Sequence, residues 1–136
     1  MDGVLVTPLK RIAGSDGDVL HGLKASAPGY AGFEEAYFSE IHQGAIKKWR
    51  RHSRMTMNLI VPRGNVRFVL HDERSAIFAE YTIGQANYAR LTVVPGLWMA
   101  FQGQGPGTSL ILDIADVEHD PAEAESRDLP AFAFTW

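Results

Sequence analysis

The chain has 136 residues, enough for a single domain (1–136) with one sizeable core. Apolar residues make up 46% and charged residues 21%, the balance of a globular protein, and a net charge of −3 supplies no global field for nucleic acid or an anionic membrane. Cysteine is absent, which excludes disulfides and thiolate metal sites; MDGVLVTPLKRI lacks the apolar run of a signal peptide and no run reaches membrane-spanning length, so a cytoplasmic protein is expected.

Short runs rich in β-branched and aromatic residues, separated by Gly, Pro, Asn and Asp, predict an all-β protein. In chain order, strands are expected near Val4–Pro8, Asp18–Lys24, Glu34–Ile41, Ala45–His52 and Met57–Pro62. They continue near Asn65–His71, Phe78–Ile83, Ala89–Val94, Trp98–Gln102 and Ser109–Ile114. Gly64-Asn65, between two extended runs, predicts a two-residue hairpin turn. GQGPG (Gly103–Gly107) has the composition of a phosphate loop but lacks its Lys-Ser/Thr and its helix, so a plain hairpin loop is expected. The best helical candidate is Pro121–Arg127, with Asp120 as its cap and acidic residues near its start. The closing DLPAFAFTW is apolar and is expected to pack as a strand or arm against the body or a partner subunit. Strands in this number within one small domain require a sandwich or barrel that buries its edges.

The most informative segment is Gly44–Gly64, GAIKKWRRHSRMTMNLIVPRG. Its spacing resembles a cupin metal-binding motif, in which two histidines and a glutamate stand between two glycines. Here Arg50, His52 and Met57 occupy those three positions. More broadly, GFEEAYFSEI, IKKWRRHSRMTMNLIVPRGNVRFVLHDER, LTVVPGLWMAF and SLILDIADVEHDPAEAE resemble the cupin branch of dTDP-4-dehydrorhamnose 3,5-epimerases and their relatives. The resemblance implies a double-stranded β-helix, or jelly-roll barrel. It also implies a nucleotide-linked 4-keto-6-deoxy sugar as ligand, a place in cell-surface polysaccharide biosynthesis and a homodimer closed by strand exchange.

Residue by residue, the family's catalytic histidine corresponds to His52. Its enolate-stabilising lysine falls at Met57 and its second histidine at Met99. Its proton-returning tyrosine falls near Leu112 or Asp113, of which only Asp113 can carry a proton. The family's late segment, which supplies a carboxylate partner for the histidine, is cut short here at Trp136.

The residues themselves define a consistent chemistry. Removing a proton α to a ketone needs a base that titrates near neutrality and a partner for the developing oxyanion. His52 is the candidate base, its structural alternative being a histidine that only bonds locally. Strand alternation puts Lys48 and Arg50 on the same face, as cations for an enolate or a diphosphate. The resemblance alone makes Met57 and Met99 candidate sugar-facing walls, their alternative being core filler. Asp113 and Asp116 lie in an apolar strand and need partners if buried; Arg50 is the candidate for Asp113. Aromatic interleaving limited to Trp49 speaks against nucleic acid. Without the Glu and the other histidines, no metal is expected at the cupin position, and no cofactor. Two other functions fit the same residues: a non-catalytic carbohydrate-binding cupin, or a structural cupin whose degenerate pocket is filled by Met57, Met99 and Trp98.

Overall fold

A computed structural model describes all 136 residues, Met1–Trp136. Twelve strands form: β1 Val4–Pro8, β2 Arg11–Ile12, β3 Val19–Leu20, β4 Glu35–Ile41, β5 Ile46–His52 and β6 Met57–Arg63. Beyond them lie β7 Asn65–Asp72, β8 Ile77–Gly84, β9 Ala89–Val93, β10 Trp98–Gly103, β11 Ser109–Ala115 and β12 Ala124–Arg127. The first sheet has the order β1-β9-β6-β11-β4 and the second β12-β5-β10-β7-β8, both antiparallel, with β2 and β3 as a small separate pair. From β4 to β11 the chain passes from one sheet to the other at every step except β7–β8. That winding is the double-stranded β-helix expected from the sequence. No helix is long and apolar enough to cross a membrane.

The alternation of side chains builds two cores. Between the sheets, Leu59, Val61, Leu91 and Val93 of the first meet Val66, Phe68 and Leu70 of the second, all buried. On the outer face of the second sheet, Trp49, Val69, Trp98 and Ala100 form a smaller cluster. The closing segment covers it as an arm: Phe132 and Trp136 pack on Trp49, and the Trp49 indole donates to the Leu129 carbonyl at 3.2 Å. His71 belongs to this cluster, its ring stacked on Phe78 at 4.1 Å.

Four expectations need correction. Gly64 does not turn a hairpin, because β6 and β7 lie in different sheets. It turns the corner between them with φ +78°, and a Cβ there would lie 2.2 Å from the Ser109 hydroxyl. The Gly103–Gly107 loop likewise links two sheets. The strand expected over Asp18–Lys24 is only Val19–Leu20, and residues 21–24 run as loop. The helical candidate Pro121–Arg127 is one 3-10 turn, Pro121–Glu123, followed by β12. Asp120 does cap that turn through the Ala122 N–H. The helix stops there because Ala124–Arg127 pairs with Trp49–His52 at the exposed edge of the second sheet.

Candidate functional site

A cavity of about 370 Å³ opens between the two sheets. Its location follows from the topology: β4 is the edge of the first sheet and β5 lies near the edge of the second, so the sheets gape between them. All six residues singled out from the sequence line it: Lys48, Arg50, His52, Met57, Met99 and Asp113. Alternation along β5 turns Lys48, Arg50 and His52 inward and sends Trp49 to the outer cluster. The same alternation on β10 turns Met99 inward and Trp98 outward, so Trp98 is not in the cavity. Met57 and Met99 form wall rather than plug, and the space between the sheets remains open.

On the second-sheet side, His52 is buried at the end of β5 and its Nδ1 lies 2.6 Å from Glu123 Oε1. The other Glu123 oxygen accepts the backbone N–H groups of Arg54 at 2.9 Å and Met55 at 3.1 Å. Burial opposes the charge on Glu123, but these N–H groups and the imidazole outweigh it and bring its pKa down to about 2. An ionised carboxylate only accepts, so Nδ1 carries a proton, and in the neutral ring the lone pair is on Nε2. No group of the chain bonds Nε2. The carboxylate partner thought lost with the late segment is therefore present. Glu123 supplies it from the 3-10 turn, 71 residues along the chain.

On the first-sheet side, Asp113 of β11 faces Tyr37 of β4 in register, and the phenol donates to Asp113 Oδ2 at 2.7 Å. Asp113 Oδ1 is buried without a partner. Burial raises the Asp113 pKa to about 6, against the lowering effect of the Tyr37 bond, with Glu35 and Asp116 adding to the rise. Burial and the neighbouring carboxylate push the Tyr37 phenol upward as well. The sequence pairing of Asp113 with Arg50 is thus overturned. Tyr37 is the partner of Asp113, and Arg50 stands at the cavity without any ion pair. Asp116 accepts the Thr56 N–H at 2.8 Å outside the strand.

Lys48 lies 3.7 Å from Asp128 at the exposed rim. The register of β5 against β10 shifts between Met99 and Phe101, and past that shift Lys47 borders the cavity too, its Nζ donating to the Glu40 carbonyl at 2.8 Å. No group of three or more His, Asp and Glu side chains is arranged to hold a metal ion. The arrangement is a base candidate on one wall, a phenol–carboxyl pair on the facing wall, cations at the rim and thioethers between. It can remove a proton from one face of a small polar ring and return one from the other.

Known proteins share this fold. A dTDP sugar isomerase from Desulfovibrio desulfuricans G20 matches at 34% identity and a TM-score of 0.93, over 99% of this chain and 91% of that one. A sugar 3,4-ketoisomerase from Thermoanaerobacterium thermosaccharolyticum, solved in complex with TDP, matches at 15% identity and 0.79, over 97% and 93%. A dTDP-6-deoxy-D-glucose-3,5-epimerase from Legionella pneumophila Philadelphia 1, solved with dTDP-4-keto-L-rhamnose, matches at 15% and 0.84, over 100% and 79%. The last two carry the fold alone. No protein-family model matches the chain, and no curated protein does.

Proposed function

Because the chain belongs to the cupin family of dTDP-sugar isomerases and epimerases, we propose that it relocates one proton on a dTDP-linked 4-keto-6-deoxy sugar, with His52 as the base. The observation that carries this reading is the 2.6 Å bond from His52 Nδ1 to Glu123 at the wall of a sugar-sized cavity. It leaves the Nε2 lone pair of His52, a residue lining that cavity, free to act as the base.

The chain's own groups carry each proton transfer, and solvent resets them between turnovers. Nε2 takes the proton from a carbon next to the C4 ketone, and the C–H electron pair becomes the enolate. The imidazolium formed is stabilised by the ionised Glu123 beside it. Arg50, free of any carboxylate, and Lys48 offset the charge on the enolate oxygen or hold the diphosphate. Tyr37, on the opposite sheet, donates its proton to the other face of the ring, and solvent closes the cycle by taking the proton from His52 and returning one to the Tyr37–Asp113 pair. Delivered to the same carbon, that proton inverts it. Delivered to the adjacent carbonyl carbon, after a proton passes between the two oxygens, it moves the ketone. Met57 and Met99 supply the apolar walls for the ring and its methyl group.

A homodimer belongs to this reading. β1 and β4 are unpaired sheet edges carrying Leu5, Val6 and Phe38, the last 65% exposed, and a second copy would cover them. Light scattering reads the mass directly. The catalytic reading is tested by incubating dTDP-4-keto-6-deoxyglucose with the protein and following products by NMR. Conversion that is lost in His52→Ala supports it; no conversion of any dTDP-4-keto sugar by the intact protein refutes it.

A further inference from the structure

A second cavity, of about 360 Å³, lies on the opposite face of the first sheet, under the loop that follows β3. Alternation along β9 explains it: Leu91 and Val93 point into the core, while Arg90 points outward. Arg90 is 1% exposed, yet no carboxylate meets it. Three of its N–H groups donate to neutral acceptors: Asn58 Oδ1 at 3.1 Å, the Gly22 carbonyl at 2.9 Å and the Pro28 carbonyl at 2.7 Å. The rest of the guanidinium fork is unused. Its charge is buried and uncompensated, and burial lowers its pKa.

Two further features converge on this cavity. Thr7 stands directly opposite Arg90 in the β1–β9 register, and its hydroxyl is buried without a partner. Lys10, His21 and Lys24 border the same space; neither lysine has a carboxylate partner, and no acidic residue lines the cavity. A chain of net charge −3 has thus gathered cations around one orphan donor.

We propose that this cavity binds a phosphate-type anion, held by Arg90 and the Thr7 hydroxyl with Lys10 and Lys24 at the rim. An anion there satisfies the unpaired hydroxyl and compensates the buried guanidinium. The site is separate from the between-sheet cavity and independent of the reading given to it.

Calorimetric titration with inorganic phosphate at constant ionic strength tests the assignment on the intact chain, on Lys10→Ala/Lys24→Ala, on Thr7→Val and on Arg50→Ala. The expected result is a phosphate site weakened at least about tenfold by the double lysine change. Thr7→Val weakens it as well, while Arg50→Ala leaves it unchanged. No binding to the intact chain overturns the proposal. So does binding that survives the lysine and threonine changes but is lost in Arg50→Ala, since the anion then sits between the sheets.

Discussion

Two carboxyl groups serve the between-sheet cavity, Asp113 in its wall and Glu123 behind His52, and the chain treats them in opposite ways. Glu123 is given three donors, two backbone N–H groups and an imidazole, and its pKa falls to about 2. Asp113 is given one, the Tyr37 phenol, with its second oxygen left bare, and its pKa rises to about 6. Both side chains are buried, so burial alone does not decide charge; the number of donors does. Glu123 stays ionised and holds His52 in one tautomer. The Asp113 wall is built to hold or release a proton near neutrality. In the proposed function, that asymmetry is what assigns the base to the His52 side and the acid to the Asp113 side.

The largest expected effect comes from removing the base. His52→Ala is expected to lower turnover by about 10³-fold or more, measured by NMR on the dTDP-4-keto sugar. Glu123→Gln leaves the imidazole without its charged partner. Turnover is expected to fall by about 10²-fold, and urea unfolding at pH 7 to show a loss of about 2–3 kcal/mol. The folded pKa of Glu123 lies below its ordinary value, so its stabilisation is complete above the ordinary carboxylate range and fades as pH falls toward about 2. The gap between the variant and the parent protein should close over that acid range.

Smaller effects are expected on the other wall. Tyr37→Phe should lower product formation about tenfold or more while sparing proton removal. Asp113→Asn should change stability with the opposite sign. A folded carboxyl pKa of about 6, above its ordinary value, means ionised Asp113 destabilises the fold. That cost builds as pH rises from the ordinary carboxylate range to about 6, is complete above it, and is absent once the group is protonated in both states. The amide, which keeps an acceptor for the phenol, is expected to unfold later than the parent by about 1–3 kcal/mol at pH 8. The two should coincide below the ordinary carboxylate range.

Much of the fold was legible because β-branched runs between Gly, Pro and Asn leave strands as the economical reading. Periodicity on β5 also put Lys48, Arg50 and His52 on the cavity face, and the family resemblance placed Met57 and Met99 there. What was not legible depends on partners far along the chain. Residues 121–127, Pro-led and acidic, have local helix character, but the free edge of β5 offers them a ladder, and that long-range pairing wins. The same docking carries Glu123 to His52, a bond no spacing rule foretells. Tyr37 is a similar case. A tyrosine was sought on β11, where Asp113 stands; the one that meets Asp113 lies on β4, the strand paired beside it. Arg50 was matched to Asp113 because they were the available opposite charges, but a strand neighbour in register lay closer.

The division of labour between the walls is tested most directly by solvent deuterium. dTDP-4-keto-6-deoxyglucose is incubated in heavy water with the parent protein, His52→Ala and Tyr37→Phe, and deuterium is counted separately in recovered substrate and in product. A base on one wall and an acid on the other predict no incorporation anywhere with His52→Ala. With Tyr37→Phe they predict deuterium accumulating in unconverted substrate as product falls. Exchange that persists without His52, or a Tyr37 variant that loses exchange and product in equal measure, contradicts that division.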